Sequence, residues 1–147
     1  MISVAIRNAF QKAKERNWDR TYWAIDIHET MIKANWSSTV LPTEFYPKAM
    51  ETMRYISSRK DIVTILYTCS HPHEITLYLE MFQKLGIRFD HVNSNPDVAN
   101  GKYGFYESKP YFNVLLEDKA GFDPFQDWDE VFNSLQAQPI LKKSIDL

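Results

Sequence analysis

A single cysteine, Cys69, is all that this chain of 147 residues contains. No intramolecular disulfide can form, which excludes a disulfide-stapled secreted scaffold and suits a reducing, cytoplasmic setting. Long apolar runs are missing too: nothing approaches the roughly 18 consecutive apolar residues of a spanning helix, so no membrane partner is expected. Positive charge is also short, with 17 Lys and Arg against 19 Asp and Glu, a net charge of -2 and no dense basic block. The electrostatic footprint of non-specific nucleic-acid binding is therefore absent, and nucleic acid is not indicated as a partner. Internal repeats and low-complexity segments are lacking as well, so the chain reads as one domain over residues 1–147. What the chain does have is 44% hydrophobic and 14% aromatic residues, enough apolar material for a real core.

Along the chain the hydrophobic period alternates between that of helices and that of strands. Between Met1 and Trp18, Ile2, Ala5, Ile6, Ala9, Phe10 and Ala13 recur at helical spacing, with Arg7, Lys12, Lys14 and Arg16 between them. A docked amphipathic helix explains this best; Glu15 and Asp19 interrupt the basic face that a transit peptide or membrane-surface helix would show. Tyr22 to Asp26 reads as a strand, and residues 31–46 as an ordered flap holding Trp36, Phe45 and Tyr46. Those three aromatics either pack the flap or touch a substrate. Pro47 is placed to open a helix with Met50, Met53 and Ile56 on one face, and Asp61 to Tyr67 is a β-branched strand ending at Thr68. His71 to Leu85 makes a further helix with Ile75, Tyr78 or Leu79, Phe82 and Leu85 inward, stopped by Gly86, and Ser70 is its expected N-cap. Ile87 to Val92 is a third strand, Asn93 to Lys102 is turn-rich, Tyr103 to Tyr106 is a brief extended piece, and Tyr111 to Leu116 is a fourth strand. A last helix is expected from Asp123-Pro124, with Phe125, Trp128, Val131 or Phe132 and Leu135 as its stripe; residues 136–147 form a tail. Strands alternating with helices point to a parallel α/β sheet with right-handed crossovers.

The strand ends carry chemistry. Asp26 closes the apolar run Tyr22-Trp23-Ala24-Ile25, Thr68 and Ser70 follow the second strand, and Glu117-Asp118 close the fourth, with Lys109 just before it. In open α/β sheets, ligands collect at the carboxyl ends of the strands. A carboxylate can attack phosphorus, while acidic groups holding a divalent cation, a lysine and a hydroxyl offset and bind the charge of the phosphoryl group. Taken singly, Asp26 reads as a turn or capping aspartate, Thr68 as a strand terminator and Lys109 as a solvated turn lysine. Glu117-Asp118 is harder to explain structurally, because adjacent carboxylates at the end of an apolar strand repel each other.

In order and type these residues resemble the motifs of the haloacid-dehalogenase-like superfamily of aspartate-nucleophile phosphatases: Asp26-Ile27-His28-Glu29-Thr30, then Ile65-Leu66-Tyr67-Thr68-Cys69-Ser70, then Lys109-Pro110, then Leu115-Leu116-Glu117-Asp118. The resemblance spans roughly residues 20 to 135. It implies a three-layer α/β/α sandwich with a central parallel, Rossmann-like sheet, a short flap and no cap domain. It also implies hydrolysis of a phosphate monoester through an aspartyl-phosphate on Asp26. By the same resemblance, Thr68 and Cys69 bind phosphate, Lys109 contacts both phosphate and nucleophile, and Mg²⁺ is held by Asp26, the backbone carbonyl of His28, Asp118 and Glu117. Asp118 is expected to be the main metal group of the pair, because the family pattern is usually Asp-Asp.

The departure is His28, which stands where the family has its second aspartate, the general acid. A histidine titrating near neutrality can serve as acid and then base. The alternative is that His28 marks a catalytically silent or impaired protein that binds a phosphorylated ligand or partner. A metal site from His28, His71 and His73 lacks a completing ligand set. A receiver domain uses a similar parts list, but there the acidic pair comes first and Lys-Pro last, the reverse of the order here. With no room for a cap domain, the expected partner is a phosphorylated small molecule or a phosphorylated macromolecule, in a monomer or in a homo-oligomer that closes the site.

Overall fold

A computed structural model describes residues 1–37, 39–106 and 108–144. The elements run α1 (Ile2–Glu15), β1 (Thr21–Ile25), α2 (Ala49–Ser58), β2 (Ile62–Leu66), α3 (Pro72–Lys84), β3 (His91–Val92), β4 (Val114–Leu116), a 3₁₀ turn (Asp118–Ala120) and α4 (Asp127–Gln136). The sheet has four strands in the order β3-β2-β1-β4, all parallel. Residues at every position of β1 are buried, as a central strand covered on both faces requires. The α/β sandwich expected from alternating periods is thus the fold. No helix of the described residues is long and apolar enough to cross a membrane.

Register determines which side chains meet the helices. Trp23 pairs with Thr64 and Val114, and Ile25 with Leu66 and Leu116, so alternation puts Trp23, Ile25, Leu66, Val114 and Leu116 on one face. That face shares one core cluster with Phe10 of α1, Met53 and Ile56 of α2, Tyr78 and Phe82 of α3, and Trp128 and Leu135 of α4. Each fully buried side chain of this kind is worth about 1.5–3 kcal/mol. On the other face Tyr22 meets Trp18 and Tyr111 edge to face, and Tyr103 and Tyr106 add to the same group, so Trp18 and these tyrosines cover that side chain.

The amino edge of the sheet is tied by a buried ion pair. Arg59 donates to both oxygens of Asp61, at 2.9 and 2.6 Å, and to the carbonyls of Leu135 and Gln138. Asp61 in turn accepts from the backbone N–H of Leu141 at 3.0 Å. One guanidinium thus joins the end of α2, the start of β2 and the tail after α4.

Several element boundaries differ from the sequence expectation, each for a local reason. The third and fourth strands are shorter than Ile87–Val92 and Tyr111–Leu116, because only His91–Val92 and Val114–Leu116 find a ladder partner. Asp123 closes a turn, accepting from the N–H groups of Phe125, Gln126 and Asp127, so α4 starts at Asp127 and Phe125 lies outside its buried stripe. Phe125 is exposed, with its ring against Tyr46. In the expected extended piece Tyr103–Tyr106, Tyr103 and Gly104 form a bend and Phe105 and Tyr106 join no strand. The N-cap of α3 is His71 instead of Ser70, with the Glu74 carboxylate accepting from the His71 N–H at 3.1 Å. Pro47 precedes a left-handed Lys48, and α2 opens at Ala49.

Candidate active site

The carboxyl edge of the sheet is assembled by the ladder itself. The Asp26 N–H donates to the Leu116 carbonyl at 3.0 Å and the Tyr67 N–H to the Ile25 carbonyl at 2.9 Å, so the ends of β1, β2 and β4 arrive level. Just beyond them lie Asp26, Tyr67-Thr68 and Glu117-Asp118. Asp26, Glu117 and Asp118 each offer a carboxylate oxygen within 4.8 Å of the others.

Thr30 bridges this acidic group. Its hydroxyl lies 3.2 Å from Asp26 Oδ2 and accepts from the Asp118 N–H at 3.1 Å. Thr30 is fully buried, and the indole N–H of Trp128, reaching up from α4, donates to its carbonyl at 2.8 Å. The turn from β1 to Thr30 is tight, with the N–H groups of Thr30, Met31 and Ile32 all directed at the Ile27 carbonyl and Glu29 at φ 60°. Glu29 repays that conformation by accepting from the Ala34 N–H at 2.7 Å and the Tyr46 hydroxyl at 2.8 Å, which anchors both ends of the flap. The Tyr46 phenol is pushed up to about 12 by burial and by the carboxylate it bonds.

Electrostatics single out Asp26. Burial raises its carboxyl from 3.8 to about 6, helped by the charges of Glu117 and Asp118 and opposed by hydrogen bonds from the Ile27 N–H and Thr30. Glu117 is also raised, by burial and by its acidic neighbour Asp118. Carboxylates this close repel one another, and a hard divalent ion with oxygen ligands is the group such a donor set fits.

Thr68 is held from two sides. Asn93 accepts from the Thr68 N–H and donates to its carbonyl, each at 2.9 Å, while the Thr68 and Ser70 hydroxyls lie 2.8 Å apart. Cys69 between them is exposed. The His28 ring turns toward α3, with Nε2 2.6 Å from the Tyr78 hydroxyl. Tyr78 is fully buried, and desolvation pushes its phenol up to about 12, so it keeps its proton.

A cleft of about 910 Å³ collects these groups: Asp26, His28, Thr68, Cys69, Ser70, Glu117 and Asp118 all line it, between the flap and α3. Lys109 is placed differently from the other site candidates. Its neighbours Ser108 and Pro110 border the cleft, but Lys109 itself is exposed, in a stretch of bends outside helix or strand, and among the described residues makes no ion pair with Asp26. Lys119, next to Asp118, does line the cleft. Sequence reasoning passed over Lys119, the bridging role of Thr30, the Tyr78 hydroxyl and Asn93. Only Thr30 had a signal, its place four residues after Asp26. A second cavity of about 600 Å³ contains Arg54 and Arg88, but both are committed to backbone carbonyls and Arg88 also pairs with Asp90.

The chain matches no protein-family model and no curated protein. Among solved structures it is similar to a conserved protein from Bacteroides thetaiotaomicron, with 18% identity and a TM-score of 0.61 over 80% of this chain and 90% of that one. That likeness supports the fold. A 3-deoxy-D-manno-octulosonate 8-phosphate phosphatase from Moraxella catarrhalis, in complex with magnesium, phosphate and KDO, aligns over 90% of this chain and 92% of its own at 15% identity. Its TM-score is 0.38, too low to bear on function.

Proposed function

We propose that the protein is a Mg²⁺-dependent phosphomonoester hydrolase of the haloacid-dehalogenase-like kind, with Asp26 as nucleophile. The observation that carries this reading is the meeting of Asp26, Glu117 and Asp118 at the carboxyl edge of a parallel sheet, bridged by Thr30. Asp26, Glu117 and Asp118 are the residues that would hold the ion. Bound there, it would supply the positive charge that lets an anionic ester approach a carboxylate.

The chain's own groups account for the rest of the cycle. An Asp26 oxygen attacks phosphorus in line, and the bond from phosphorus to the leaving oxygen breaks while that oxygen takes a proton from His28. Water then attacks the aspartyl-phosphate, His28 recovers a proton from it, and inorganic phosphate leaves with Asp26 restored. With His28 Nε2 engaged by the Tyr78 hydroxyl at 2.6 Å, Nδ1 is the ring atom left to give and retrieve the proton in this cycle. Thr68 and Ser70 hydroxyls and the Cys69 segment are the groups for the phosphoryl oxygens. Lys109 or Lys119 supplies the further cation.

A second reading, a protein that holds a phosphorylated ligand without turning it over, is favoured by one observation: the residue at the acid position is a histidine whose ring is engaged by a buried tyrosine. Phosphate release from a panel of phosphomonoesters, with and without Mg²⁺, separates the two. Metal-dependent release that falls by about 10³-fold or more in Asp26→Asn is expected. Release that survives Asp26→Asn sinks the hydrolase reading, and release seen only in His28→Asp establishes the silent one.

A further inference from the structure

We propose that the site, on the hydrolase reading above, takes small phosphomonoesters whose leaving group carries a planar ring, and that Trp36 and Leu77 are the specificity residues that bind it. The anionic end of the cleft has been described; its mouth also carries exposed apolar side chains. Trp36 is 88% exposed, Val40 63% and Leu77 49%, and all three line the same cleft as Asp26. Trp36 and Val40 come from the flap and Leu77 from α3, so both walls contribute apolar surface.

Two features distinguish this mouth from scattered surface hydrophobes. Trp36 sits at φ 56°, a left-handed conformation that bulky residues avoid, and it gains no burial in return. The flap tip around it is closed by its own hydrogen bonds, Asn35 Nδ2 to the Val40 carbonyl at 2.9 Å and the Val40 N–H to Ser37 Oγ at 3.0 Å. An exposed indole beside those hydrogen bonds, on the wall of the cleft, offers a stacking face to a bound ring. A phosphate group fills only a small part of about 910 Å³, a volume in the range of pockets for small organic ligands. The remainder is lined by Trp36, Val40 and Leu77 among polar neighbours such as Asn35, Thr39 and His73, a mixture that suits a ring bearing polar edges.

The test separates binding from turnover by using phosphonates, which carry the dianion without a scissile ester. The native Mg²⁺-loaded protein is titrated calorimetrically with methylphosphonate, benzylphosphonate and a nucleoside 5′-phosphonate. At least one ring-bearing ligand is expected to bind roughly three- to tenfold more tightly than methylphosphonate. Trp36→Ala and Leu77→Ala each shrink that ratio, and Trp36→Phe keeps it. The better of the two ring ligands tells an aryl from a nucleoside source. Equal affinity for all three, no binding of any, or a ratio unmoved by Trp36→Ala overturns the inference. Ring preference without phosphate release from any ester sinks only the hydrolase reading, and release without ring preference sinks only this one.

Discussion

Asp26 is a nucleophile candidate whose charge the fold resists. Its carboxyl is raised from 3.8 to about 6, first by burial and then by Glu117 and Asp118. An acid raised in the folded state binds its proton more tightly there than in the unfolded chain. Its contribution to stability is therefore full below about 4 and is lost as pH rises through about 6. Allowing for partial exposure, metal-free Asp26→Asn is expected to be about 1–2 kcal/mol more stable than the native protein near pH 7.5, with the difference gone near pH 4. Urea unfolding at the two pH values measures this, and a variant less stable than native at the higher pH refutes it. The site's acidic half was readable at residue level, because an ionisable side chain closing an apolar strand is conspicuous. Its cationic half was less so: Lys109 sits on a bend and Lys119 in a single 3₁₀ turn, both too short for a period to indicate which way a side chain turns. Tyr78 was read only as core, since pattern registers the burial of a ring and says nothing of what its hydroxyl meets.

At the scale of elements, the site depends on a helix that contributes nothing to its lining. Trp128 of α4 is fully buried, and its indole N–H holds the Thr30 carbonyl while the Thr30 hydroxyl bridges Asp26 and Asp118. Trp128→Phe keeps most of the apolar volume and leaves the buried carbonyl without its donor, a loss of about 1–3 kcal/mol. Because Thr30 is then less firmly placed, the variant is expected to lose kcat for phosphate release by more than its KM rises, at temperatures where it remains folded. Unchanged kcat in a folded Trp128→Phe protein would show that α4 supports stability alone. The order and type of the elements were written in the hydrophobic periods, and β1 was the clearest because its run is apolar throughout. Boundaries were less readable where a polar residue serves a turn instead of a helix. Asp123 has the chemistry of a cap, and it caps, but the segment it closes is the turn before α4. Strand length likewise depends on the partner's reach, which leaves β3 at His91–Val92 despite the alternating pattern that begins at Ile87.

For the molecule as a whole, folding and ion binding are linked through the same carboxyl edge. The ladder brings Asp26, Glu117 and Asp118 together only when β1 and β4 are paired, so an ion held by all three binds the folded chain and not the unfolded one. A ligand of that kind stabilises by RT ln(1 + [L]/Kd), about 2.7 kcal/mol at one hundred times Kd. For a domain of about this size each kcal/mol raises Tm by roughly 2–4 °C, or somewhat more, so saturating Mg²⁺ is expected to raise Tm by about 5–10 °C at neutral pH. The rise should shrink as pH falls through about 6, because protons then compete with the ion for Asp26. Asp118→Asn should remove most of it at every pH, while Glu74→Gln, a carboxylate on the cleft wall outside the cluster, should leave it intact. Differential scanning fluorimetry across a magnesium and pH grid measures all of these together. A Tm indifferent to Mg²⁺, or a rise that survives Asp118→Asn, would mean that the three carboxylates meet for some purpose other than holding a cation.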